Sequence, residues 1–415
     1  MTTTKPIRHV KQVGDKLTRN QRVTFILLLA GLMSLMPFSI DPYLPSFPAI
    51  AKHFDVSRAS VQFTLTGVTI GFAIGQLLAG PLSDALGRRR PLLFANSFFV
   101  LGALGSCFAP NIEVFFALRL LMAVGAAASA VVSSAIIRDL YVGSPMIKML
   151  SRVFFIQGLA PIVGPILGAQ LLKILSWEQV FLFFGAYAVL ILGLTSKFLV
   201  ETLHRDKRRA KGFDGMAGRF RAVLRDRIYV GLLVVSVTQT IALFSYLNVF
   251  SFLYQQGFHI SLENFGWFFA MNSACSWAGV QLASKLARRY PPQWILLFTL
   301  VLATAVGFGL LVAGLTNGPF ALVAALLAAF MLVFGATLTP ISAISLAQHG
   351  SEAGTAASLM GVLNFVITSL VSPLFGYLTL TTSAGVGGVV AACYAVALLS
   401  MIFIVRPRSV PAMAR

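Results

Sequence analysis

Charged side chains are scarce in this sequence. Asp, Glu, Lys and Arg make up 11% of its 415 residues, whereas hydrophobic residues make up 57%. Soluble domains carry about 25% charged residues, so the composition argues against a water-soluble globular protein. Repeated charge-free runs of about 20 residues are instead long enough to cross a membrane as helices.

Cysteine and histidine are also rare. Cys107, Cys275 and Cys393 are the three cysteines, and all lie inside apolar runs. This placement predicts buried, inert thiols and no disulfide framework. The five histidines and three cysteines form no metal-ligand cluster. We see no nucleophile–base constellation or phosphate-binding loop, so we expect no enzyme activity, no metal and no cofactor.

Acidic residues are few, because 32 Lys and Arg stand against 13 Asp and Glu for a net charge of +19. Nucleic acid binding is the usual interpretation of such a basic chain, but the basic residues lie almost entirely between the apolar runs. We therefore predict an all-α polytopic membrane protein that does not bind nucleic acid. Its twelve membrane-spanning helices are predicted at residues 23–48, 60–80, 91–109, 112–136, 146–172, 179–200, 229–255, 262–286, 292–315, 319–346, 354–379 and 384–405.

The basic residues alternate between the two sides of these spans. Only Lys52, Arg58 and Lys173 fall in odd-numbered loops, and only Arg119 lies inside a span. The positive-inside rule therefore places both termini in the cytoplasm and predicts contact with anionic lipid. The first apolar run lacks a cleavage pattern, so we interpret it as a retained helix.

The predicted spans divide into two halves. Residues 23–200 and 229–405 each hold six spans, between a cytoplasmic tail over 1–22 and another over 406–415. Residues 201–228 form a basic linker whose apolar residues recur every three or four positions. This spacing predicts an amphipathic helix at the lipid interface; a disordered linker is the alternative. A weak repeat after the second and eighth spans supports two related halves.

Asp41 is the one acidic residue that we predict within the membrane. It lies in FSIDPYLPSFP, residues 38–48, among Pro37, Pro42, Pro45 and Pro48. An Asp at a helix centre costs roughly 3 kcal/mol, and protonation removes much of that cost, so we predict a proton-binding site here. A helix starting at residue 23 would place Asp41 about 27 Å along its axis, near the outer face. We therefore expect the helix to start earlier and to run past Asp41, with proline-freed carbonyls facing a cavity.

The sequence GPLSDALGRRRP, which follows the second span, resembles the signature loop of the major facilitator superfamily. The residues that match are Gly80, Leu82, Asp84, Gly87, Arg88 and Arg89. We expect Gly80 and Gly87 to permit tight turns and Asp84 to cap a helix N-terminus. The resemblance implies two six-helix halves and a cytoplasmic latch between them. Alternatively, the arginines only set the topology.

Two further spans resemble motifs of the same family. GLAPIVGPILGA in the fifth span has the core of the antiporter motif at Gly158, Gly164, Pro165 and Gly168, and its small residues would let another segment approach closely. A kinked packing helix is the alternative. Arg119 in the fourth span matches a third motif, although Met122 and Ala123 depart from it. We expect a role in proton coupling, or alternatively a structural ion pair.

The resemblance is closest to drug:proton antiporters of the bicyclomycin and chloramphenicol resistance family. Ser39, Asp41, Tyr43, Leu44, Pro45, Ser46 and Pro48 match the end of its first helix, whereas Pro42 departs from it. The resemblance implies a monomer in the bacterial inner membrane that exports small amphiphilic drugs by alternating access, driven by protons. A metabolite exporter or, less favoured, an importer is the alternative. A channel would need more polar rings along its pore.

Polar residues inside the spans are the candidates for drug contacts. Each of them alone is more typical of a hydrogen bond between helices than of a ligand contact. We expect Gln157 and Asn364 to be the best candidates, because both lie beside family-like motifs. The full set is Asp41, Tyr43, Ser129, Ser133, Gln157, Gln239, Tyr246, Asn248, Asn272 and Asn364.

Overall fold

A computed structural model describes residues 18–141, 144–203, 208, 216–347, 353–377 and 382–411. These residues form helices and turns and contain no strand, which confirms the all-α prediction. The helices of the first half are α1 (Arg19–Phe38), α2 (Phe47–His53), α3 (Arg58–Leu86), α4 (Arg89–Ser106), α5 (Ile112–Leu140), α6 (Ser144–Leu171) and α7 (Trp177–Phe198).

A short helix, α8 (Met216–Val223), precedes the second half. Phe220 and Val223 of α8 pack in one apolar cluster with Ala356 and Leu359. The apolar side of this linker helix therefore contacts protein. The second half contains α9 (Arg227–Phe252), α10 (Leu262–Leu286), α11 (Pro292–Leu315), α12 (Phe320–Ala347), α13 (Ala353–Tyr377) and α14 (Ser383–Leu399).

Twelve of these helices have 17 or more residues and follow the order of the twelve predicted spans. Ten helices of the described chain are long and apolar enough to cross a membrane. The other two long helices are α4, which begins with Arg89 and Arg90, and α10, which carries Glu263 and Lys285. The two arginines lower the mean hydropathy of α4, whereas polar residues along the whole helix, such as Asn264, Asn272 and Gln281, lower that of α10.

The first span is not one continuous helix, so the prediction that it runs past Asp41 is wrong. Helix α1 begins at Arg19, where Thr18 forms a capping box, and ends at Phe38. Residues 39–43 form turns, and a 3₁₀ turn (Leu44–Ser46) leads into α2. Pro42, Pro45 and Pro48 lack the N–H groups that would continue the α1 ladder, and proline is favoured at the start of a new helical turn. Asp41 consequently lies on non-helical backbone.

The two halves meet along two pairs of helices. Helix α3 packs on α13, and α6 packs on α10. Helices α6 and α10 approach each other closely at Gly266 of α10. A Cβ atom added to this glycine would lie only 2.8 Å from Cβ of Ala169 in α6. A cavity lies between these two seams, with the Asp41 turn on its first-half side.

Candidate functional site

The cavity has a volume of about 350 Å³ and is lined by both halves. Most of its wall is aromatic or aliphatic, and Asp41 is the only charged residue among the described residues that line it. Such a wall suits an amphiphilic ligand held by few polar anchors. The lining residues are Met36, Pro37, Ile40, Asp41, Phe72, Gly158, Pro161, Leu243, Phe244, Leu247, Phe269, Ser273, Ser276, Trp277, Val280, Met331, Phe334 and Phe365.

Asp41 lies in this wall with few polar groups to stabilise its carboxylate. The residue is 7% exposed, and its carboxylate oxygen Oδ2 has no hydrogen-bond partner among the described residues. None of the ion pairs found in the described chain includes Asp41. A buried, unpaired carboxylate is costly, and a proton or a positively charged ligand group reduces that cost. The site is therefore chemically suited to bind a proton.

Arg119 of α5 supports the backbone just before Asp41. Its guanidinium donates a hydrogen bond to the Ser39 carbonyl oxygen and lies 4.2 Å from the centre of the Tyr43 ring. The guanidinium is thus paired with a carbonyl dipole and an aromatic face in a buried position. This geometry places Arg119 as a clamp on the turn that carries Asp41.

Two glutamines bind backbone carbonyls of the same segment. Pro37 has no N–H group, so the Met33 carbonyl lacks its normal helical partner. Gln157 Nε2 of α6 donates to this carbonyl at 3.3 Å, and Gln255 Nε2 donates to the Pro45 carbonyl at 3.2 Å. Gln157 therefore satisfies the broken backbone, and it is absent from the cavity lining.

The glycines of the antiporter motif form the seat for the Asp41 turn. A Cβ atom on Gly168 would lie 2.8 Å from Cα of Pro42 and in closer contact with the Pro42 carbonyl oxygen. A Cβ atom on Gly164 would be 3.4 Å from Cβ of Asp41. Six residues before Gly164, Gly158 lines the cavity beside Trp277. The motif thus lets the Asp41–Pro42 backbone pack directly on α6.

The other predicted drug contacts lie in hydrogen bonds between or within helices. The Tyr43 hydroxyl bonds Thr64, and Asn248 Nδ2 donates to the backbone carbonyl of Phe244 at 2.8 Å. The remaining bonds are Gln239 Oε1 with Thr337 (2.5 Å), Asn272 Nδ2 with Tyr246 (3.0 Å), Asn364 Nδ2 with Ser236 (2.8 Å) and Ser129 with Asn96 (3.0 Å), while the Ser133 hydroxyl has no described partner.

Only Asp41 of the ten predicted contacts lines this cavity. Sequence reasoning missed the residues that do, above all Phe244, Phe269, Trp277 and Phe365. The sequence indicates an aromatic interior only through its 35 Phe residues. This number does not show which of them face the cavity.

The signature loop forms a charged network around Arg88. Its Nη1 lies 2.6 Å from Asp84 and its Nε lies 2.8 Å from Asp139 at the end of α5. Glu201, just after α7, accepts from the backbone N–H groups of Arg88 (2.8 Å) and Arg89 (3.3 Å). The loop is therefore tied to α5 and α7 of its own half. Asp139 and Glu201 were not predicted, because both appeared to be ordinary loop acids.

Glu201 is stabilised in its charged form. Burial alone would raise its pKa, but N–H donors from Arg88, Leu203 and Arg89, together with the charge of Arg208, lower the pKa below its usual value. Asp84 lies in the last turn of α3 and pairs with Arg88. Helix α3 continues six residues beyond the predicted end of its span, so Asp84 does not cap the helix that follows it. That Asp84 caps the start of the eleventh span, near residues 354–355, remains a prediction.

The two signature glycines have different environments. Gly87 ends α3 with φ +91°, and a Cβ atom there would collide with the Glu201 carboxylate and lie 2.7 Å from Arg208 Nη2. Gly80 lies inside α3 and has no atom within 4 Å of its Cβ position. The prediction of a tight turn is therefore correct in geometry for Gly87 and wrong for Gly80.

We expect Gly87→Ala to lower the thermal stability of the protein markedly, because a left-handed conformation costs an alanine about 1–3 kcal/mol even without the collision. Gly80→Ala is the matched control and should leave stability unchanged or slightly raised, because alanine is favoured in an open helical position. Thermal unfolding of both purified variants in detergent measures the difference. Equal stability of the two variants would contradict the role given to the Gly87 turn.

The family model described as "Major Facilitator Superfamily" matches residues 27–375. A Bacillus subtilis protein, "Uncharacterized MFS-type transporter YdgK", is 33% identical over 380 residues, covering 90% of this chain and 93% of that protein. The Haemophilus influenzae "Bicyclomycin resistance protein homolog" is 28% identical over 386 residues, covering 92% and 97% of the two chains. A "Chloramphenicol resistance protein" of Pseudomonas aeruginosa is 34% identical over 178 residues, covering 43% of this chain and 42% of that protein.

Solved structures share the fold at low sequence identity. A D-xylose-proton symporter superposes with a TM-score of 0.74 at 15% identity, covering 93% of this chain and 97% of the symporter. This likeness extends over both halves and supports the fold alone.

Proposed function

Because the chain belongs to the major facilitator superfamily, we propose that it exports amphiphilic drugs by alternating access in exchange for protons that bind Asp41. The family consists of transporters, so the chain is a multi-pass membrane transporter and not an enzyme. Relatives with names that refer to bicyclomycin and chloramphenicol resistance support drugs of that kind as substrates. The observation that carries the proposal is an unpaired, buried Asp41 in the wall of an apolar cavity between the two halves.

The proposed cycle uses one site for two ligands. A drug enters the cavity from the cytoplasm or the inner leaflet, where its apolar groups pack on the aromatic wall. Its binding favours loss of the Asp41 proton. After the cavity opens outward, protonation of Asp41 neutralises the carboxylate and favours drug release and return of the carrier. The membrane potential contributes about 2.3 kcal/mol per proton charge for each 100 mV.

Bonds between the two halves support an inward-facing state. Gln62 Nε2 binds the Asn248 carbonyl at 2.8 Å, Gln255 binds Pro45, and Lys173 Nζ lies 2.7 Å from Glu263. The positive-inside pattern puts Lys173 and Glu263 on the outer side. We infer that these bonds close the outer side and that both termini lie in the cytoplasm of a bacterial inner membrane.

The chemistry of the wall favours drugs over polar metabolites. Among the described residues, Ser273, Ser276 and the indole of Trp277 are the side chains that add polar atoms to the lining besides Asp41. A sugar or another highly hydroxylated solute would therefore leave many of its polar groups unpaired. The antiporter motif favours export. Export of an apolar endogenous metabolite would use the same cavity chemistry, and proton-driven uptake of none of the drugs and dyes tested would favour it.

Drug uptake into inside-out membrane vesicles tests this proposal. The panel includes chloramphenicol, bicyclomycin and fluorescent lipophilic dyes. We expect uptake of at least one compound after a proton gradient is imposed, and loss of that uptake when a protonophore collapses the gradient. Vesicles without the protein provide the background. Uptake that is unaffected by the protonophore would contradict proton coupling.

A further inference from the structure

A second cavity lies at the end of the second half, far along the chain from the Asp41 turn. It has a volume of about 490 Å³ and is lined by Trp294, Leu297, Ile402, Arg406, Pro407, Arg408 and Ser409. Its wall combines an apolar floor, made by α11 and the end of the α14 segment, with two arginines. Among the described residues, no carboxylate contributes to its lining.

The cavity sits where the helices leave the membrane. Helix α11 begins at Pro292, and the π-helical segment that follows α14 ends at Val405. Next to the lining residues, Phe298 is 64% exposed and Phe403 is 66% exposed, as expected for side chains that face lipid. Trp294 is 43% exposed, and tryptophan is enriched at the boundary between lipid and water. The cavity is thus open to the membrane at headgroup level.

The backbone at Arg406 is held in an unusual conformation. Arg406 has φ +55°, a left-handed value that glycine usually supplies at a helix end. Its Nε donates to the Phe403 carbonyl at 3.2 Å, and the 3₁₀ turn Pro407–Ser409 follows directly. Ser409 accepts a hydrogen bond of 3.0 Å from Arg227 Nη2 of α9. The chain therefore turns back over α11 and carries Arg406 and Arg408 to the rim of the cavity.

We propose that this cavity binds one anionic phospholipid. The phosphate would pair with Arg406 and Arg408, since a guanidinium matches the geometry of phosphate oxygens. The upper part of an acyl chain would lie on Trp294, Leu297 and Ile402. Basic pockets at the cytoplasmic ends of membrane helices have the chemistry to hold such headgroups. The proposal is independent of the transported substrate, because it depends only on the membrane location of this end.

Native mass spectrometry of the purified full-length protein with added phosphatidylglycerol tests the site. The wild type should retain one phosphatidylglycerol, and Arg406→Gln/Arg408→Gln should bind it about ten- to thirty-fold more weakly, since each arginine near the surface contributes about 1 kcal/mol. Arg288→Gln/Arg289→Gln is the matched control. It removes the same charge from two exposed arginines at the end of α10, outside the cavity, and should bind like the wild type.

Two further arms identify the ligand chemistry. Phosphatidylcholine should bind at least ten-fold more weakly, because its headgroup carries no net charge, and inorganic phosphate should not compete, because it lacks acyl chains. Brominated phosphatidylglycerol should quench tryptophan fluorescence more strongly in the wild type than in Trp294→Phe, which keeps the other three tryptophans of the chain. Equal weakening by the control pair, or full retention by Arg406→Gln/Arg408→Gln, would overturn the proposal. Competition by free phosphate would overturn the assignment to a lipid.

Discussion

Replacement of Asp41 with Asn is expected to abolish proton-coupled drug export while leaving the protein folded. Asn has nearly the same shape as Asp but has no carboxylate that can take up or release a proton. Burial of a charged Asp costs roughly 3 kcal/mol on insertion scales, so the neutral amide should keep or raise thermal stability. Uptake by inside-out vesicles should fall to background at every imposed pH gradient.

Glu113→Gln is the matched control for this prediction. Glu113 is an exposed acid in the first turn of α5 and does not line the cavity. We expect its replacement to leave uptake and the dependence of uptake on the pH gradient unchanged. Asp41 would not be the proton site if Asp41→Asn still took up drug when a proton gradient is imposed and lost that uptake when a protonophore is added.

Gly168→Ala is expected to cause the second large loss of transport. Its new methyl group would lie 2.8 Å from Cα of Pro42. Backbone atoms, unlike a side chain, cannot move aside by changing rotamer. Overpacking of this kind costs about 1–3 kcal/mol, and relief requires that the Asp41 turn moves away from α6. We expect transport to fall at least about ten-fold, with a lower thermal stability in detergent.

Gly164→Ala is the control for Gly168→Ala because it adds the same methyl group one turn earlier. Its Cβ position is 3.4 Å from Cβ of Asp41, so only a small adjustment is needed. We expect this variant to retain most of its transport and stability. If Gly164→Ala were as damaging as Gly168→Ala, the motif would have a role other than seating the Pro42 backbone.

The order of the helices and the position of Asp41, the one buried acid in the described part of the chain, could be predicted from the sequence. Long apolar runs fix how many segments cross the membrane, and a lone Asp within such a run is rare enough to stand out. The antiporter motif also indicated close approach through its small residues. The sequence did not show which segment would approach, and the structure shows that it is the Asp41 turn.

The interior of the site could not be predicted because it depends on tertiary contacts. Four prolines in the Asp41 segment predict a broken helix but do not show where the helix ends. In the structure it ends at Phe38. Gln157 resembles a ligand contact in sequence, yet the carbonyl that Pro37 leaves free is its partner. Arg119 resembles half of an ion pair, yet it donates to the Ser39 carbonyl.

Drug-triggered proton release from purified protein in weakly buffered detergent solution tests the shared site most directly. Addition of a transported neutral drug should release protons from the wild type, because hydroxyl or amide donors of the bound drug stabilise the ionised Asp41 carboxylate and so favour loss of its proton. Asp41→Asn should bind the same drug, as shown by thermal stabilisation, and should release none. Proton release from Asp41→Asn equal to that of the wild type would contradict the assignment of proton and drug to one site.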